Sequence, residues 1–257
     1  MKKFVNIMKS DLKRGIFSKR FLAAVLIMTL AIFVAAWQSL FITDDQRLIG
    51  LPHGYFLIII NKALQSEGIV FVLPILSTLP FAAHFIEEFR TRFCNFLLIR
   101  SKKSQYIASK IVVNGLCGGL CVCLGVLIAT GLCGIIYRPM ELNGDISLLH
   151  LFLNTTVFSI IKISFIGILW ASVGTFLGLI NKSIYMVYGG PFLMNYLLVI
   201  LTTRYFINAY ILNPREWLLQ QHVWRDNSAY MCVFLLIISA IAVVLEGVTI
   251  RWKLERK

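Results

Sequence analysis

Ile111 to Tyr137 reads IVVNGLCGGLCVCLGVLIATGLCGIIY, a stretch with no Asp, Glu, Lys or Arg. A helix needs about 20 apolar residues to cross the hydrocarbon core of a bilayer, so this stretch alone is long enough to span one. Five more stretches meet the same test, at roughly Phe21 to Ile42, Ile69 to Ile86, Ile163 to Ile180, Ile184 to Thr203 and Ala229 to Ile250. The composition agrees: 257 residues, 58% of them hydrophobic and 14% charged, with a mean hydropathy of +0.80. Soluble domains run near 45–50% apolar and about 25% charged, so an ordinary soluble domain is excluded. The expected fold is an all-α membrane protein with six transmembrane helices. It forms one domain over residues 1–257, with Met1 to Arg20 as an amphipathic helix, Phe21 to Ile250 as the six-helix bundle and Arg251 to Lys257 as a basic tail.

The second span carries Pro74 and Pro80 and the fifth carries Pro191. Proline withholds a backbone donor, which neighbouring helices must make good, and both spans are therefore expected inside the bundle. Tyr55 to Ile60 is too short to span and is followed by Asn61 and Lys62, so it is expected as a membrane-interfacial segment between the first two spans. Met1 to Arg20 has no small-residue cleavage site after it, so the first span reads as a retained anchor rather than a removed signal.

The net charge of +13 could suggest nucleic acid, but the positions of the charges argue for a membrane. Of 25 Lys and Arg, 18 fall in alternate segments on one side and six on the other, with Lys162 left over. Positive charge collects in cytoplasmic loops, so both termini are expected in the cytoplasm.

Near the N-terminus, Phe4, Ile7, Met8, Leu12 and Ile16 fall on one helical arc and Lys2, Lys9, Lys13 and Arg14 on the other. Such a helix lies in the interface, as an anchor, as a surface touching a partner, or as both. Between the second and third spans, Phe85 to Lys110 reads FIEEFRTRFCNFLLIRSKKSQYIASK. Two carboxylates, Glu87 and Glu88, precede an apolar cluster at Phe93, Phe96, Leu97 and Leu98, and a basic turn follows at Arg100, Lys102 and Lys103. The pattern predicts a short helix along the cytoplasmic face and then a turn into the third span.

The order of Glu88, the Leu97 and Leu98 pair, Arg100, Tyr106 and Lys110 resembles the signature of type-2 ABC exporter permeases. Many of these have a Gly-Thr or Gly-Phe pair after the glutamate and a Pro after the arginine, where this chain has Arg92 and Phe93, and Ser101. The resemblance implies a membrane subunit that dimerises with itself or with a related permease and pairs with two copies of a separate ABC ATPase. It implies a coupling helix within Glu87 to Lys103 that docks on the ATPase, so that Glu87, Glu88, Phe93, Phe96, Leu97, Leu98, Arg100, Tyr106 and Lys110 form the coupling region. It further implies a connecting helix at Met1 to Arg20, short re-entrant helices between the fifth and sixth spans, and a place in the bacterial cytoplasmic membrane. Substrates of such single permeases are often antimicrobial peptides or drugs. The chain has no G-x-x-x-x-G-K-[ST] loop to hold phosphates, so ATP and magnesium belong to the partner and no cofactor is expected here.

An ionisable group inside a bilayer is a functional candidate because it is costly to hold there. Lys162 lies deep in the membrane if the fourth helix starts near Leu148, and snorkels to the outer surface if it starts at Ile163. Lys162 and Asn195 are the candidate pathway residues. Glu246 is expected to pair with nearby basic residues, and His84 to be a hydrogen-bonded packing residue. Trp217, Trp224 and Tyr230 suit an aromatic belt more than a substrate lid. Cys117 and Cys121 share a helix face, but without a nearby His or carboxylate they read as packing residues rather than metal ligands. Gly115 to Gly119 and Gly174 to Gly178 are G-x-x-x-G patterns that favour close helix contact.

No HExxH, no paired intramembrane aspartates and no Ser-His pairing point to an intramembrane enzyme, and no repeat points to ion-driven transport. The competing reading is a non-transporting membrane protein that recruits a cytoplasmic partner through its basic face.

Overall fold

Hydrocarbon supplies no hydrogen-bond partners, so an apolar chain satisfies its backbone within each segment and folds as helices. The computed structural model describes residues 2–40, 51–91, 93–100, 102–141, 156–206, 209–219 and 228–255. Among them the regular elements are helical: α1 (Lys2–Ile16), α2 (Lys19–Leu40), α3 (Tyr55–Leu64), α4 (Glu67–Thr78), α5 (Ala82–Arg90), α6 (Phe93–Arg100), α7 (Lys103–Tyr137), α8 (Phe158–Asn181), α9 (Ile184–Arg204), α10 (Glu216–Leu219) and α11 (Ser228–Glu255). Six stretches are long and apolar enough to cross a membrane: Lys19–Trp37, Glu67–Arg90, Lys103–Met140, Phe158–Asn181, Ile184–Arg204 and Ala229–Glu255. The chain is a multi-pass membrane protein. The helices of the third and sixth spans run past the apolar stretches, to Lys103 and to Glu255, because the backbone ladder continues into residues whose polar ends reach water.

α8 is the central element and packs against α4, α5, α7, α9 and α11. Lipid is as apolar as leucine, so small residues and hydrogen bonds, rather than water exclusion, draw such helices together. The glycine patterns now have partners. A Cβ on Gly118 would lie 2.6 Å from Ala171 Cβ and 2.9 Å from Ser77 O, so α7, α8 and α4 meet where only a hydrogen fits. A Cβ on Gly174 would lie 2.5 Å from Thr78 Cγ2 and 2.8 Å from Val187 O, which sets α8 equally close to α4 and α9.

The two proline-bearing spans part company. The second, α4 and α5 joined through a bend at Leu79 to Phe81, has 72% of its apolar window buried, whereas α9 has 22% and is the least buried span. The expectation that both lie inside the bundle is therefore corrected for α9. Pro191 is accommodated along one line of contact with Gly174, and Leu193, Met194 and Leu197 stay exposed.

Tyr55 to Ile60 belongs to a longer helix than expected. Leu57, Ile59, Ile60, Ala63 and Leu64 of α3 are buried in the main core with residues of α2, α4 and α7, so this segment is half inside the bundle. Its N-terminus is capped by Glu141, whose carboxylate accepts from Gly54 N and Phe56 N at 3.1 Å each, a favourable place for negative charge.

A second core cluster gathers Met8 and Leu12 of α1, Phe85 and Ile86 of α5, Tyr106 and Val113 of α7, and Ile250 and Leu254 of α11. The first helix and the last turns of the final helix therefore share one end of the bundle, the basic end.

Candidate functional site

α1 lies across the start of α7, and its apolar arc contains one carboxylate. Asp11 is 4% exposed, next to Met8 and Leu12, and it meets a partner there. Lys110 Nζ stands 3.1 Å from Asp11 Oδ1 and 2.7 Å from Glu88 Oε2, with Ser109 Oγ donating to Asp11 Oδ2 at 3.4 Å. These are ion pairs by distance, although their angles are too skewed for well-formed hydrogen bonds. The ammonium also lies 5.4 Å from the centre of the Phe81 ring and 5.5 Å from that of Tyr106, within cation–π range. Arg14 approaches Glu88 at 3.9 Å, and His84 faces both Glu87 and Glu88, at 3.8 and 3.7 Å. Glu87 in turn accepts from Arg20 at 3.0 Å.

Glu88, Tyr106 and Lys110 are thus brought together, but in a buried cluster that ties α1, α5 and α7. Asp11 was missed at the sequence level. Its signal was a lone carboxylate on the apolar arc of an amphipathic helix. Removing one partner from such a buried set leaves an uncompensated charge, a loss of about 3–5 kcal/mol.

α6 follows immediately. Phe93 and Phe96 are exposed, at 41% and 68%, while Cys94 beneath them is buried and Leu98 packs on the second core cluster. The backbone of Leu97 and Arg100 is in α6, and their side chains lie outside the described set. Glu87 is part-exposed at the rim. A short helix with outward-facing phenylalanines therefore sits on the basic end, held by Cys94 and Leu98 in the second core cluster.

Within the spans, Asn195 is fully buried and donates from Nδ2 to Val70 O at 3.1 Å. Lys162 is buried at 5% exposure in the first turns of α8, beside Cys232 of α11, and has no ion-pair partner among the described residues. α8 begins at Phe158, between the two starts considered from sequence, and Leu148 itself lies outside the described residues. Among the described residues Glu246 pairs with no basic side chain. Asn114 Nδ2 of α7 donates to its Oε1 at 3.0 Å and to Thr175 Oγ1 of α8 at 2.8 Å, so one amide bridges the carboxyl to α8. The reason is direction: the side chain of Glu246 is turned inward to α7 and α8, away from the basic tail that follows in sequence.

At the opposite end, the segment between α9 and α11 contains a 3₁₀ turn at Tyr210–Leu212 and the short α10. Trp217 is buried, donates from Nε1 to Ile211 O at 2.8 Å and meets Phe234 edge-on, so it is a packing anchor rather than part of a belt. Tyr230 is exposed, and Trp224 lies outside the described residues. Arg215 of this segment pairs with Glu67 at the start of α4.

Among the described residues no group of His, Cys, Asp or Glu is arranged to hold a metal. Cys121 donates weakly to Leu76 O at 3.9 Å, and Cys117 lies against Gly15 of α1. No family model matches the chain, and no curated protein matches it.

Proposed function

We propose that this chain is the membrane-spanning permease subunit of an ATP-driven ABC exporter in the bacterial cytoplasmic membrane. In this reading two copies, or one copy and a related permease, pair with two ABC ATPase subunits that bind ATP and magnesium. The observation that carries the proposal is α6: a short helix between the second and third spans, with Phe93 and Phe96 outward and Cys94 and Leu98 seated in the core cluster that α1, α5 and α7 share. An aromatic pair exposed at the basic end, where the positive-inside pattern puts the cytoplasm, suits a cleft on a soluble motor.

The seating matters for coupling, since a force applied to α6 passes to α5 and α7, and from α7 to α1 through Lys110 and Asp11. Phe93, Phe96 and Glu87 make the contact with the motor, and Glu88, Tyr106 and Lys110 position them. Lys162 is the pathway residue of choice, because a buried ammonium within the first turns of a span, with no ion-pair partner among the described residues, is costly and needs a cavity or an anion to be kept. The export cargo is an antimicrobial peptide or a drug-like molecule, and the short helical pieces between α9 and α11 cap the pathway outside.

The test is a Phe93→Asp/Phe96→Asp double variant of the full chain reconstituted with its ATPase. Both residues are exposed, so the chain should insert normally, and ATP hydrolysis by the complex should fall about tenfold or more. Unchanged hydrolysis and assembly would remove α6 as the docking element.

A further inference from the structure

A cleft of about 460 Å³ opens at the elbow between α1 and α2. Its walls carry Arg14, Lys19, Arg20 and His84, and no carboxylate lines it among the described residues. Pro80 and Phe81, at the bend between α4 and α5, form an apolar wall. The volume falls within the range of small-ligand sites.

The cations are not all committed elsewhere. Lys19 is exposed and has no ion-pair partner among the described residues. Arg20 gives one guanidinium nitrogen to Glu87, out of five N–H donors on the group. Arg14 is 3.9 Å from Glu88, a carboxylate already held at 2.7 Å by Lys110. The positive end of α2 also opens here, with Ser18 Oγ accepting from Phe21 N at 3.0 Å and capping the first turn.

The surface next to the cleft says what kind of anion it suits. Leu22, Leu26 and Leu30 follow Lys19 at helical spacing on one face of α2, and they are exposed at 59%, 60% and 62%. A phosphate at Lys19 would therefore sit at the head of an apolar stripe that runs along the span. That is the pattern of a headgroup with acyl chains, and a free phosphate would leave the stripe unused.

We propose that the elbow cleft binds the phosphate of an anionic membrane phospholipid, whose acyl chains lie along Leu22, Leu26 and Leu30 of α2. Arg14 and Lys19 contact the phosphate oxygens, and Arg20 and His84 complete the basic wall. The occupied site braces the angle between α1 and α2, and with it the elements that carry α6. The proposal rests on the membrane-spanning assignment alone and is independent of the exporter reading.

Native mass spectrometry of the purified full chain in detergent tests it, titrating phosphatidylglycerol against phosphatidylcholine of the same chain length. A phosphatidylglycerol adduct should be retained preferentially, and Arg14→Gln/Lys19→Gln should weaken it about tenfold. Lys9→Gln/Lys13→Gln removes the same charge from α1 outside the cleft and should change it less than about twofold, while Lys19→Arg should keep it. Equal retention of the two lipids, or equal loss in both double variants, would overturn the site in favour of diffuse basic charge. Displacement of the lipid by glycerol 3-phosphate at equal concentration would overturn the lipid assignment and make this a site for soluble phosphate esters.

Discussion

Pro74 removes the N–H that Val70 O would accept within its own helix, and Asn195 supplies a donor from α9 at 3.1 Å. Pro80 likewise frees Leu76 O, which Cys121 Sγ approaches from α7, and Pro191 frees Val187 O, which lies against Gly174 of α8. Each proline thus fixes what the facing helix must present: an amide, a thiol, or no side chain at all. For Asn195 this gives a structural duty on the facing helix. Asn195→Leu should cost about 1 kcal/mol of unfolding free energy in the native background and close to nothing in a Pro74→Ala background, where the helix recovers its own donor. Equal costs in the two backgrounds, read from unfolding in mixed detergent, would separate Asn195 from the proline.

At the scale of elements, α1 is joined to the bundle by one buried cation serving two carboxylates. Lys110→Ala would leave Asp11 and Glu88 facing each other at about 5% exposure. The expected result is a loss of about 3–5 kcal/mol and release of α1, seen as modification of a cysteine placed at the half-buried Met8. Adding Asp11→Asn and Glu88→Gln to Lys110→Ala should restore much of the protection, because no unpaired charge remains. If the single variant protects Met8→Cys as well as the native chain does, the cluster does not hold α1. The arc of Met8, Leu12 and Ile16 was readable in the sequence, since periodicity is a local property. The lock was not, because Asp11 meets Lys110 and Glu88 only after α1 folds back across two distant elements.

The whole molecule shows the same division. The six spans were legible because apolar length is counted along the chain, and their ends moved because helices continue into residues with long polar side chains. Burial was legible for α4 and α5 and not for α9, since a proline announces that a partner is needed without saying whether one contact line suffices. The Glu246 environment was hidden for a similar reason: its partner Asn114 comes from another helix and is shared with Thr175 of a third. Orientation remains an electrostatic argument, and it has its own test in a chain freed of the six native cysteines. Tyr205→Cys, exposed beyond the end of α9, should react with an impermeant maleimide on intact cells. Phe17→Cys, exposed at the α1 and α2 elbow, should react only after permeabilisation. The reverse pattern would invert the molecule and put α6 outside the cell, away from any ATP.

The exporter reading stands on a partner, so the most direct measurement is affinity purification of the tagged full chain in mild detergent, with identification of what accompanies it. The account predicts an ABC ATPase in near-equal amount. A permease dimer recovered intact with no ATPase would contradict it.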